Sequence, residues 1–284
     1  MGNYQNTFIS GASKPPSALF DVQATSYDRR VGIPEDCRDR IVEAILWLSG
    51  LQPGELLVEV GAGTGQIGAG LARSPIGYLG FDISGEMLAV FRDRLGNIPT
   101  EGAELVQADG NQPWPVADGS AKAIFSSRAI HLLDADAVLR ECDRVSHPQG
   151  AVLLIGRVQR SPDSIKAQMQ RQMRQGLRDL GRSPRDGAKT KERLLQHCGD
   201  RGGQRLEPTI AARWTREYSP RRSLESWYGK PGLGGIESLP DTEKRAVLQN
   251  LSQWAIATYG DLNFSRTEEE TYCLEGVRLP KLEG

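Results

Sequence analysis

The chain has 284 residues, 38% of them apolar and 25% charged, with a formal net charge of −1. That is the composition of a globular protein able to form one large domain or two small ones, and the near-neutral charge gives no global sign of a nucleic-acid or membrane-surface partner. No apolar run approaches the ~20 residues of a membrane span. The opening MGNYQNTFISGASKPPS lacks the charged start and apolar core of a secretory signal, and Asn6 breaks a myristoylation pattern. Cys37, Cys142, Cys198 and Cys273 are too scattered for a zinc site or a disulfide frame. Reduced thiols, a cytoplasmic location and no bound metal are therefore expected.

Residues 1–25 read as a polar, flexible arm, and 26–284 as a single domain. Pro34 opens a helix in which Cys37, Ile41, Ile45 and Leu48 recur at helical spacing, and Gly50 ends it. The stretch LLVEVGAGTGQIGAGL, Leu56 to Leu71, then reads as a short buried strand, a glycine turn and a helix start. Glycines at Gly61, Gly63, Gly65 and Gly68 let a ligand approach the backbone and allow positive φ, and the helix start leaves N–H groups free to face it. Gly63, Gly65 and Gly68 also fit a dinucleotide loop, with Asp82 placed as its ribose acid. Glu59 points the other way, since a carboxylate beside the loop repels a pyrophosphate and suits a ligand with positive charge.

Further strands are read at Tyr78–Ile83, Ala103–Ala108, Ala121–Ser126 and Ala151–Ile155. Ser84 caps a helix with Met87, Leu88, Phe91 and Leu95 on its apolar face, and Asp134–Val145 is helical. Strands alternating with helices predict a mostly parallel sheet covered on both faces, with its acids and glycines at the carboxyl edge where such sheets bind ligands.

Taken together, VEVGAGTG, FDIS, QADGNQPWPVADGS, FSSRAIHLL and VLRECDRVSHPQGAVLLI, in that order between Tyr27 and Val158, resemble the class I S-adenosylmethionine-dependent methyltransferases. The subgroup containing the ubiquinone- and menaquinone-biosynthesis enzymes looks most similar. Ala121-Lys122 and Pro148-Gln149-Gly150 depart from the family pattern at structural positions only. The resemblance implies a Rossmann-like, mostly parallel seven-stranded sheet with an antiparallel last strand. It implies S-adenosyl-L-methionine as cofactor, with Gly61, Gly63 and Gly65 against its amino-acid and sulfonium portion. Asp82 would accept the ribose hydroxyls and Asp109 the adenine amino group, with Gly110 and Asn111 passing the ring. Met87 would lie on the adenine or simply fill core. Tyr27 would close over the methionine end or stay at the surface. Glu59 would add negative potential or serve only as a hydrogen-bonding support.

The resemblance weakens after Val158, where acceptor choice should reside. A helix is read from Ser161-Pro162-Asp163, with Ile165, Met169, Met173, Leu177 and Leu180 on one face, and a second over Lys191–Cys198. Together they predict a helical lid insertion at 161–203 whose apolar stripe covers the acceptor. Between Arg157 and Arg205 stand 13 Lys and Arg against 5 Asp and Glu. The surplus fits a nucleic-acid or acidic-substrate surface, or a solvated face on the lid; no aromatic residues interleave the charges, which favours the solvated face over a single-stranded RNA surface. Glu207–Tyr218 and Glu270–Leu279 read as the last strands, and Ser223–Tyr228 and Asp241–Tyr259 as helices. Trp214, Trp227, Tyr228 and Trp254 are candidates for an apolar pocket, with ordinary core packing the expected role for at least two of them.

The expected activity is methyl transfer to a small organic acceptor by in-line displacement, with no membrane and no nucleic-acid partner. His131, just after the fourth strand, is the candidate base or pocket residue. Arg128 would meet an anionic substrate or simply solvent. RNA or protein methylation, nicotinamide-dependent oxidoreduction and cofactor binding without turnover are the alternatives. Composition says nothing about oligomeric state.

Overall fold

The structure is a computed structural model that describes residues 20–21, 24, 28, 32–96, 102–182, 187–228, 236 and 239–281. Five strands, β1 (Leu56–Val60), β2 (Gly77–Asp82), β3 (Ala103–Gln107), β4 (Ala121–Ser127) and β5 (Val152–Arg160), pair in parallel in the order β3-β2-β1-β4-β5. The order reverses between β1 and β4, which opens a crevice above their carboxyl ends. Beside β5 lies the antiparallel strand β8 (Arg266–Arg278). Its far edge pairs with β6 (Gln204–Arg205) and then β7 (Thr209–Tyr218). The sheet thus has eight strands. The sixth strand expected over Glu207–Tyr218 is β7, starting at Thr209 just after Pro208, which has no N–H to donate to a ladder, and the two-residue β6 before it was not expected.

Alternation along each strand sorts two cores. Leu57, Phe125 and Leu154 face α1 (Glu35–Ser49), which buries Cys37, Ile41 and Ile45. Val58, Ile124 and Leu153 face α4 (Ala135–Val145), which buries Val138, Leu139 and Cys142. Pro34 is the N-cap of α1 rather than its first-turn residue, and Gly50 closes it at φ 67° with its N–H on the Leu46 carbonyl. Between β1 and β3 run the short α2 (Gly68–Ala72) and α3 (Gly85–Leu95).

The second half divides differently from the expected lid. Helix α5 (Ile165–Asp179) starts at the Ser164 cap, whose Oγ accepts from the Ala167 N–H at 3.1 Å. Ser161 instead makes a turn before it, accepting from the Asp163 N–H at 3.2 Å. Ile165, Met169, Met173 and Leu177 pack on α7 (Pro220–Tyr228) and α8 (Asp241–Tyr259) through Leu224, Val247, Leu248 and Leu251. The stripe is therefore the core of a three-helix cluster, and Leu180, past the helix end, is 42% exposed. Helix α6 (Gly187–Asp200) leaves that cluster: Leu194, Leu195 and Cys198 join the core beside α4. Of the aromatic candidates, Trp214 is buried against the sheet core, Trp227 and Trp254 rest on the helical cluster, and the Tyr228 side chain lies outside the described residues.

Candidate functional site

The glycine loop after β1 holds Gly61, Gly63 and Gly65 at φ of 74°, 55° and 71°. A Cβ on Gly61 would lie 2.1 Å from the Ala129 methyl, and one on Gly65 2.3 Å from the Phe91 ring. These two glycines are required by packing. Gly63 is different, since the nearest atom to its Cβ position is the Gly61 carbonyl oxygen at 4.0 Å and the residue lines a pocket. Its N–H donates to Asp82 Oδ2 at 2.9 Å, while Asp82 Oδ1 accepts from the Ser84 N–H at 3.0 Å. Each carboxylate oxygen thus keeps acceptor capacity for a ligand hydroxyl. Burial raises the Asp82 pKa, against the lowering effect of these hydrogen bonds, and the nearby Asp21 carboxyl adds to the rise. Ser84 also caps α3, accepting from the Met87 N–H at 3.1 Å, and so fixes the buried Met87 on the pocket wall.

Glu59 lines the same pocket and is 2% exposed. Its Oε2 accepts from the Tyr78 hydroxyl at 2.5 Å, and a Cβ on Gly68 would stand 2.4 Å from that same oxygen. Burial pushes the Glu59 pKa up to about 8, with the Asp82 charge adding to the rise and the Tyr78 hydrogen bond opposing it. At neutral pH the carboxyl is therefore mostly protonated. The negative potential expected of it is largely absent, and its support role is what the geometry carries.

The pocket gathers Glu59, Gly61, Gly63, Asp82 and Met87. Asp109, Gly110 and Asn111 lie outside its lining, in a loop after β3 fastened from within. Asp109 Oδ1 accepts from the Asn111 N–H at 2.9 Å, the Gly110 carbonyl from Trp114 Nε1 at 3.1 Å, and Asn111 Oδ1 from the Asp134 N–H at 2.7 Å. His131 is half-buried in a 3₁₀ turn, Ile130–Leu132, whose neighbours Arg128, Ala129 and Leu132 line the pocket although His131 itself does not. Tyr27 lies outside the described residues.

Sequence reading missed a clasp over the loop. Asp28 Oδ1 accepts from Thr64 Oγ1 at 2.6 Å and Gln66 Nε2 at 2.7 Å, and its other oxygen pairs with Arg94. Gln66 Oε1 accepts from the Ile33 N–H at 2.8 Å. Phe20 lines the pocket, and Asp21 Oδ1 accepts from Ser84 Oγ at 2.5 Å, although both fall in the arm expected to be flexible. The available signal was Asp28 itself, adjacent to Tyr27, but its partners lie 36 and 38 residues away. Arg128, for which the sequence offers solvent or an anionic substrate, lines the pocket half-buried at φ 61°. A non-glycine residue held there is an outlier of the kind that collects at functional sites.

Much of the basic stretch is neutralised locally. Lys191 pairs with Glu275, Arg193 with Asp136, Arg205 with Glu192, and Arg201 with Asp143. Among the described residues no group of three His, Cys, Asp or Glu is placed to hold a metal, and no helix is long and apolar enough to cross a membrane.

Residues 58–154 match a family model described as a methyltransferase domain. No curated protein matches the chain. Among solved structures, the chain is similar to a protein from Bacillus halodurans C-125 assigned as a methyltransferase (TM-score 0.54, 16% identity, covering 84% of this chain and 98% of that one). It is also similar to the YcgJ protein of Bacillus subtilis (0.53, 16%, covering 88% and 100%). A third similar structure is Haemonchus contortus phosphoethanolamine N-methyltransferase 2, bound to phosphomonomethylethanolamine and S-adenosylhomocysteine (0.50, 14%, covering 92% and 57%). At these identities the likeness is one of fold, and it does not single out the ubiquinone and menaquinone subgroup.

Proposed function

We propose that this chain, a class I S-adenosylmethionine-dependent methyltransferase, methylates a small organic acceptor held at the carboxyl edge of the sheet, between the glycine-loop pocket and the first turns of α5 and α7. The observation that carries the reading is Gly63, whose Cβ position faces open pocket while its N–H is bonded to Asp82. A backbone that admits close approach, next to an acceptor-only group, fits a nucleoside with a vicinal diol. When bound, S-adenosylmethionine supplies a sulfonium methyl open to in-line displacement.

The chain's own residues have three tasks. Asp82 would accept from the ribose hydroxyls, Met87 would pack on the adenine, and Asp109, Gly110 and Asn111 would border the ring. Gly61 and Gly65 would hold the loop shape, with Glu59 beneath it as a neutral strut, and Tyr27 would close the methionine end. The clasp from Asp28 to Thr64 and Gln66 would keep water from the loop. His131 would take a proton from an acceptor that has one to lose, or shape the acceptor's pocket.

Asp82→Ala should weaken S-adenosylhomocysteine binding by roughly 1–3 kcal/mol, the order of a lost charge-assisted hydrogen bond. Calorimetry giving equal affinities would remove Asp82 from the ribose. His131→Gln should lower turnover about a hundredfold or more, the range of a lost general base, and leave S-adenosylhomocysteine affinity intact. Undiminished turnover, followed as product release across an acceptor screen, would exclude a role in the chemistry.

A further inference from the structure

Away from the glycine loop, the same edge of the sheet carries a second group of charges. β5 ends at Arg160, β7 ends at Arg216 and Tyr218, and β8 begins beside them, with Arg160 and Trp214 both in register with Glu270. Glu270 is 1% exposed and accepts from Trp214 Nε1 at 2.7 Å and the Tyr218 hydroxyl at 2.5 Å. It pairs with Arg160, and Arg216 Nε stands 3.6 Å away. Burial would raise its pKa, but the two arginines and these hydrogen bonds lower it overall, so it is an anion.

One carboxylate does not balance what surrounds it. Lys166, in the first turn of α5, has its Nζ 5.9 Å from the centre of the Tyr218 ring, and it makes no hydrogen bond or ion pair among the described residues. Burial, then the fields of Arg160, Arg222 and Arg216, lower its pKa to about 8 against the opposing pull of Glu270. Arg160 Nε is buried and faces Glu270 Oε1, so Glu270 is already engaged by an arginine. Arg222, at the start of α7, is exposed and forms no ion pair among the described residues. The neighbouring Arg266 pairs with Glu268 Oε1 at 2.7 Å, and that oxygen also accepts from the Ile165 N–H at 2.7 Å, while Glu268 Oε2 is buried with no hydrogen-bond partner among the described residues. A lysine at a helix N-terminus opposes the helix dipole, and half-buried cations in excess of their counter-charge are costly. A purely structural network has no need of either.

Position gives the excess a use. Tyr272 is two residues from Glu270 on the same face of β8, about 7 Å along the strand. Its hydroxyl is 2.6 Å from Ser127 Oγ, and Ser127 lines the glycine-loop pocket. We propose that Arg160, Lys166 and Arg216, with Arg222 at the rim, bind a carboxylate or phosphate of the methyl acceptor and so make this enzyme specific for anionic small molecules. The inference rests on the methyltransferase reading above and deepens it. A ligand oxyanion at Lys166 would supply the missing counter-charge, while Glu270 holds the arginines in place.

The test is titration calorimetry at constant ionic strength, with S-adenosylhomocysteine present, using inorganic phosphate, pyrophosphate and acetate as probes. Wild type should bind at least one of them saturably, and the stronger class identifies the group. Lys166→Met should weaken that binding fivefold or more, with Lys166→Arg staying within about twofold of wild type. No saturable oxyanion binding by wild type, or equal binding by wild type and Lys166→Met, overturns the inference. If Lys166→Met does not fold, Lys166→Gln takes its place under the same criteria. S-adenosylhomocysteine is titrated into the same samples first. Binding there without any oxyanion binding defeats this inference alone, whereas its absence from wild type defeats the reading beneath it.

Discussion

Glu59 shows how a residue can sit in a recognisable motif and do something other than its charge suggests. Its place before the glycines was legible in the sequence. Its protonation state was not, because that depends on Tyr78, 19 residues away on the neighbouring strand, and on burial. The folded carboxyl titrates near 8, against an ordinary value of 4.5. Between those two values the folded state holds more protons than the unfolded one. Its contribution to stability is therefore fully present below pH 4.5 and is lost as pH rises through about 8. Glu59→Gln keeps an acceptor for Tyr78 and removes the ionisation. It should flatten the fall in stability over that window and leave the variant more stable at pH 9, by on the order of a few kcal/mol. Denaturant unfolding at a series of pH values checks this, and parallel pH profiles for variant and wild type would contradict it.

At the level of elements, periodicity revealed each helix but not what its apolar face meets. Ile165, Met169, Met173 and Leu177 fall on one stripe whether it covers a ligand or another helix. Only the return of the chain through α7 and α8, more than 40 residues later, decides that it packs on helices. The start of α5 was misplaced for a similar reason: Ser161 and Ser164 both precede helical spacing, and the choice depends on which hydroxyl reaches an N–H inside the helix. Met169 is fully buried in this cluster. Met169→Ala should cost about 2–5 kcal/mol and loosen α5 against α8. Because that core is separate from those flanking the sheet, S-adenosylhomocysteine affinity should change little. A loss of under about 0.5 kcal/mol by denaturant unfolding would mean the stripe is not packed as described.

For the whole molecule, a mostly parallel sheet with a reversal between β1 and β4 and an antiparallel β8 places the glycine-loop pocket and the Glu270 charge cluster along one edge. Most of the fold was legible, because strand, glycine loop, acid and helix recur in chain order. The sites were legible only where their residues are local in sequence, as with Gly63 and Asp82. The Asp28 clasp and the Glu270 cluster join distant segments, and no spacing rule points to them. Whether the glycine-loop pocket holds an adenosyl cofactor is decided by titrating S-adenosylhomocysteine into wild type and Gly63→Asn. Asparagine tolerates positive φ, so the variant should fold while its side chain enters the space the cofactor needs. One molecule should bind per wild-type chain, with at least tenfold weaker binding by the folded variant; no binding by wild type, or equal binding by both, would show that the pocket does not hold the cofactor.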